Sequence, residues 1–121
     1  MSDDTNINIH TIAILGGTGK EGKGLAFRWV QAGYHVIIGS RQLEKAEAAA
    51  EEVRTIVGLT AAVEGLTNAE AAAQGDLVVM TVPFGAHRAT LESVKDLVQG
   101  KILIDVTVPL VPPKVTKVQL P

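Results

Sequence analysis

Gly17, Gly19 and Gly22 stand in the spacing G-x-G-x-x-G, directly after the apolar run Ile12-Ala13-Ile14-Leu15. A strand, a glycine turn and a helix in that order suit the binding of a diphosphate. The first glycine would allow the tight turn, and the second would let main-chain amides come close to the ligand. The third would let the helix lie tightly on the strand. The free N–H groups and positive dipole end of the helix would hold the negative charge. A second pattern fits the same residues. Gly17 to Gly24 matches the phosphate loop G-x-x-x-x-G-K-[ST] except at its last position, where Gly24 replaces the hydroxyl that would coordinate magnesium. Ile102-Leu103-Ile104-Asp105 could serve as the acidic strand of such a nucleotidase. The glycines alone leave both readings open.

A second group with chemical promise is Ser40-Arg41, at the end of the apolar stretch Tyr34-His35-Val36-Ile37-Ile38-Gly39. A domain that prefers NAD usually carries Asp or Glu there, bonded to the ribose 2′-hydroxyl. A carboxylate would repel a 2′-phosphate, whereas a hydroxyl and a guanidinium can bind one through charge-assisted bonds. Lys45 follows four residues after Arg41, so helical spacing would return it to the same face. Ser40, Arg41 and Lys45 are therefore expected to hold a 2′-phosphate, making the nucleotide NADP(H). The competing reading leaves Arg41 and Lys45 as ordinary solvated charges beside Glu44 and Glu47.

These residues need a frame. Ile7, Ile9, Ile12 and Ile14 begin a first strand that lacks a polar face, as a central parallel strand would. Leu25, Ala26, Trp29 and Val30 recur at helical spacing after the glycines, and Gly33 is placed to cap that helix. The second strand follows at once, completing a βαβ unit. Leu43 to Val53 predicts a helix and Thr60 to Val63 a short third strand. Asn68 to Gln74 predicts a brief helix closed by Gly75. Leu77 to Val82 is the fourth strand, stopped by Pro83, which cannot donate to a ladder. Phe84 to His87 is expected as a loop, followed by a helix carrying Leu91, Val94 and Leu97. Ile102 to Val106 makes a fifth strand. Right-handed crossovers then give a three-layer αβα fold with strand order 3-2-1-4-5, a Rossmann-like doubly wound parallel sheet. Thr81, Val82 and Pro83 would lie beside the glycine turn, near the diphosphate and nicotinamide ribose, and His87 would border the nicotinamide.

The wider composition sets limits. The chain has 121 residues, 46% hydrophobic and 20% charged, with a net charge of −2. That suits one folded domain and gives no basic surface for nucleic acid. The absence of cysteine removes disulfides and thiolate chemistry. The polar, acidic start is unlike a signal peptide, and no apolar run reaches membrane length, so a cytoplasmic protein is expected. His10, His35 and His87 lack metal-ligand spacing, and His10 and His35 are expected at strand ends as hydrogen-bonded residues. Ser40 lacks the G-x-S-x-G elbow of a hydrolase nucleophile. Asp105 is expected in a plain strand-end role. Residues 1–108 read as the nucleotide domain. Pro109, Pro112, Pro113 and Pro121 make 109–121 read as a linker toward a further domain.

Taken together, Ile14-Leu15-Gly16-Gly17-Thr18-Gly19, Gly22-Lys23-Gly24-Leu25-Ala26, Gly39-Ser40-Arg41 and Glu44-Lys45-Ala46-Glu47 resemble the NADPH-dependent F420 reductases over nearly the whole chain. More distantly, the pattern is similar to pyrroline-carboxylate reductases. The resemblance implies hydride transfer between C4 of the nicotinamide and C5 of the deazaflavin coenzyme F420. It also implies that Thr18, Gly19, Lys20 and Glu21 flank the diphosphate. Lys20 and Glu21 depart from the family's usual residues, a mild change because those contacts run through the backbone. The family has a further C-terminal helical domain that completes the deazaflavin pocket and a dimer, and nothing in this sequence corresponds to it. Hydride transfer requires no side-chain nucleophile, and none is expected. A non-catalytic NADP-binding regulatory module is the alternative, and the phosphate-loop nucleotidase is disfavoured by Gly24 and by the unexplained Ser40-Arg41 pair.

Overall fold

The computed structural model describes residues 9–58, 60–82 and 87–106. Pro83, the proline-rich stretch and the side chain of His87 lie outside the described residues. The elements are β1 (Thr11–Leu15), α1 (Lys20–Gln31), β2 (His35–Ser40), α2 (Leu43–Val57), β3 (Val63–Thr67), α3 (Asn68–Gln74), β4 (Leu77–Met80), α4 (His87–Val94) and β5 (Ile102–Asp105). The strands pair in parallel in the order β3-β2-β1-β4-β5. This is the doubly wound αβα architecture expected from the sequence.

β1 lies at the centre because it can be buried on both faces. Ala13 pairs with Ile37 on one side and Val78 on the other. Strand alternation then divides the core. Ile12, Ile14, Val36, Ile38 and Val79 pack with Ala26 and Val30 of α1 and with Ala49, Ala50 and Val53 of α2. Ala13, Leu15, Ile37, Val78 and Met80 pack on the opposite face with Ala71 and Ala72 of α3 and Val94 of α4. Leu25 and Trp29 pack against the first cluster, so α1 presents its expected face to the sheet. It ends in a Schellman motif: Gly33 has φ +102°, its N–H donates to Val30 O, and Tyr34 N–H donates to Trp29 O.

Several boundaries differ from the sequence expectation: β1 begins at Thr11, after Ile9, and β4 ends at Met80, two residues before Val82. β3 is Val63–Thr67 rather than Thr60 to Val63. Its Glu64 and Gly65 break the apolar run, yet Gly65 is what lets α2 approach. A Cβ there would lie 2.3 Å from the Ala46 carbonyl carbon. α2 runs past Val53 to Val57, where Gly58 closes it. α4 opens with His87, a residue expected in the preceding loop, and ends at Val94, short of Leu97.

Asp76 fixes where β1 begins. Its carboxylate accepts the main-chain N–H groups of His10 and Thr11 at 2.9 and 3.0 Å, and its own N–H donates to Thr11 O. The bonds from His10 and Thr11 hold its pKa below the ordinary carboxylate value.

Candidate functional site

The carboxyl end of β1 runs into the glycine turn, and each glycine has a distinct reason to be there. The positive φ falls on Gly16, at +68°, one residue before the glycine expected to make the tight turn. A Cβ on Gly16 would also lie 2.2 Å from Val82 Cγ1. Gly17 donates its N–H to Gly39 O at 3.0 Å, which ties the turn to β2. Gly22 does what the third glycine should, since a Cβ there would sit 2.5 Å from Gly17 Cα. Gly19 is the N-cap of α1 in extended conformation and offers no side-chain cap to the first-turn amides. A Cβ on Gly19 would meet nothing within 4 Å. The second glycine therefore faces open space above free helix amides, which suits a bound anion. At α3, by contrast, Thr67 and Glu70 close the helix start with their own side chains in a capping box.

Three side chains brace this turn. Thr81 N–H donates to Leu15 O at 3.0 Å, and its hydroxyl lies 3.1 Å from both Leu15 O and Gly16 O. Val82 fills the space over Gly16, and both Thr81 and Val82 are buried. These two residues thus reach the expected place but spend their side chains on the protein. Asn68 is the third brace, and sequence reasoning assigns it no role. Its Oδ1 accepts the Gly16 N–H at 3.1 Å. The one signal in the sequence is an amide at the start of a helix. Only the topology shows that this helix start reaches the end of β1.

Ser40 and Arg41 lie at the carboxyl end of β2, on the same end of the sheet. Ser40 is buried and its Oγ accepts the Gln42 N–H at 3.1 Å, while Arg41 is exposed. Together they line a cleft of about 260 Å³ with Thr67, Asn68, Ala69, Ala89, Thr90 and Ser93, none of them acidic. Lys45 lines a different cleft, of about 310 Å³, with Thr18, Lys23 and Glu52. The expected helical relation between Arg41 and Lys45 does not hold, because Arg41 precedes Gln42, the N-cap of α2. Among the described residues, neither Glu44 nor Glu47 forms an ion pair with Arg41 or Lys45.

The phosphate-loop alternative loses its physical basis here. Lys20 to Gly24 already belong to α1, so most of that motif is helix rather than a loop curled around phosphates. His10 and His35 stand at strand ends, as expected. His35 Nε2 lies 2.8 Å from Glu64 Oε2, and the His10 carbonyl accepts the His35 N–H. No group of three metal-ligating side chains occurs among the described residues. No described helix is long and apolar enough to cross a membrane.

The residues at this end of the sheet fit a dinucleotide: free amides under an open Gly19, and a hydroxyl and guanidinium at the next strand end that line a cleft without a carboxylate. Sheet order and glycine turn define the molecule as a Rossmann-like doubly wound domain. Residues 11–109 match the model of the family described as NADP oxidoreductase, coenzyme F420-dependent, and the chain belongs to that family. It is 51% identical over 105 residues to the F420-dependent NADP reductase of Methanothermobacter thermautotrophicus, covering 86% of this chain and 45% of that one. It is 53% identical over 100 residues to the enzyme of the same name from Methanothermobacter marburgensis, covering 82% and 45%. Among solved structures, a protein from Arthrobacter sp. FB24 assigned to the F420-dependent NADP reductases superposes with a TM-score of 0.66 at 26% identity. That match covers 83% of this chain and 45% of the other. The chain thus spans just under half the length of the curated relatives it matches.

Proposed function

We propose that this chain is the NADP(H)-binding part of an oxidoreductase that transfers hydride between NADP(H) and coenzyme F420. One observation carries the reading: the open first-turn amides of α1 lie at the same sheet end as Ser40 and Arg41, with no acid in the cleft those two line. In this reading the main chain from Gly17 through Thr18, Gly19, Lys20 and Glu21 to Gly22 holds the diphosphate. Ser40 and Arg41 read the 2′-phosphate, with Lys45 approaching from the neighbouring cleft. Thr81 and Val82 keep the turn in place, and the sequence alone assigns Pro83 and His87 to the nicotinamide side of the cofactor. The bound nicotinamide supplies the hydride chemistry. The chain's own residues bind it, orient it and need hold no transferable proton. A cytoplasmic location is the reading of the polar, acidic start of the sequence, and a homodimer, completed by the family's C-terminal domain, is what the family resemblance implies.

Calorimetric titration with NADPH, NADH and magnesium ATP tests this directly. NADPH should bind best. Replacing Arg41 with Ala should weaken NADPH by about 1.5–3 kcal/mol, the range for bonds to charged groups, and leave NADH nearly unchanged. Equal losses for both nucleotides would show that Arg41 does not read the phosphate. Mixing the protein with NADPH and oxidised F420 and following deazaflavin absorbance tests the transfer. Tight NADPH binding without any reduction of F420, by a chain that also carries the family's C-terminal domain, would favour the regulatory module instead.

A further inference from the structure

The cleft beside Lys45 holds a charge arrangement that the glycine turn does not explain. α1 places Lys20 and Lys23 in and just after its first turn, and the Lys23 N–H donates to Gly19 O at 2.9 Å. A cation at the positive end of a helix dipole is unfavourable unless an anion offsets it. For Lys23 that anion is Glu52 of α2, whose Oε1 is ion-paired with its Nζ. The pair forms one wall of the cleft that also receives Thr18 from the glycine turn and Lys45, with Ala48 and Ala49 completing the lining. Lys45 has no ion-pair partner among the described residues. The lining therefore holds two ammonium groups against one carboxylate, beside a hydroxyl. This cleft opens on the face of α1 and α2, and the Ser40–Arg41 cleft opens on the face of α3 and α4. The carboxyl end of β2 lies between them.

We propose that Lys23 is a further specificity-determining residue for the 2′-phosphate, held on the cleft wall by Glu52 and transferred to the phosphate when NADP(H) binds. This deepens the reading of the site as an NADP(H) site and rests on it. A phosphate monoester entering beside Thr18 and Lys45 competes with Glu52 for the same ammonium. The phosphate carries more charge than the carboxylate, so the exchange favours the ligand. A nucleotide lacking that phosphate offers nothing to displace Glu52 and leaves the pair intact. Lys23 and Glu52 then act in opposite directions on one affinity: the lysine binds the phosphate and the glutamate competes with it.

That opposition is the test. The intact chain and its Lys23→Gln and Glu52→Gln variants are titrated calorimetrically with NADPH and with NADH. Lys23→Gln should weaken NADPH about tenfold, and Glu52→Gln should tighten it about threefold. NADH should change by less than about twofold in both. A purely structural bridge between α1 and α2 predicts the other pattern, since each variant breaks the same ion pair and both would shift NADPH in one direction. Shifts of the same sign, no shift, or equal shifts for NADH would overturn the proposal. Circular dichroism should match the parent, because a partly exposed ion pair contributes little to stability. A parent chain that binds NADPH and NADH equally well would instead overturn the 2′-phosphate reading itself, a separate result visible before any variant is made.

Discussion

Gly19 and Gly22 are the same residue type three positions apart, and their surroundings predict opposite consequences of substitution. Gly19 has an extended backbone, and a Cβ there would meet nothing within 4 Å. Gly19→Val should fold with parent-like thermal stability yet lose NADPH and NADH together, because its branched side chain stands over the open amides. Gly22 has no such space, since a methyl group there would lie 2.5 Å from Gly17 Cα. Gly22→Ala must push α1 off the turn and should cost about 1–3 kcal/mol of stability, the range for overpacking a filled site. Denaturant melts and nucleotide titrations on both variants separate the two effects. If Gly19→Val bound NADPH normally, the diphosphate would lie elsewhere. At this scale the sequence is informative wherever a motif fixes the main chain. It is silent about Asn68, whose bond to Gly16 joins residues far apart in the chain.

The elements depend on a few joints between strand ends, and Asp76 is one that pH can reach. Its two main-chain bonds lower its pKa in the folded state. The resulting stabilisation is complete above the unfolded value, near 4, and is lost as pH falls through the lowered folded value. Asp76→Asn keeps an acceptor but removes the charge. It should cost about 1 kcal/mol at pH 7, reduced from the usual range by solvent exposure. The gap between parent and variant should close as the pH falls below the ordinary carboxylate value and through the lowered folded one, read from urea melts across that range. A gap that stays constant would mean the carboxylate charge is not what holds β1. Elements are legible in the sequence where burial forces a pattern. The runs of β1, β2 and β4 have no polar face, and the αβα layering follows from them. β3 falls outside its expected place because Val63-Glu64-Gly65-Leu66-Thr67 answers to its neighbour rather than to hydrophobicity: Gly65 is there for the backbone of α2. The cationic groups part company for a similar reason. Arg41 stands two residues before the helix whose spacing would have joined it to Lys45.

Across the whole molecule, burial falls off unevenly from β1 toward the two sheet edges. β4 is buried throughout, whereas its neighbour β5 has Ile102, Leu103 and Ile104 at 41%, 37% and 43% exposure, so both faces are open. Such a sequence is typical of a parallel strand covered on both sides. Here its hydrogen bonds to β4 lack the apolar packing that slows local opening. Amide hydrogen exchange should therefore divide the sheet. Ile14, Ile37 and Val79 should exchange near the rate set by global unfolding. Ile102 to Asp105 should exchange at least about tenfold faster than their β4 partners, through openings that leave the glycine turn intact. NADPH should slow exchange around Gly17 to Gly22 and leave β5 unchanged, since the nucleotide site is carried by β1, β2 and β4. Protection of β5 equal to that of β4 would contradict this picture and would mean that the strand's apolar faces are covered in solution.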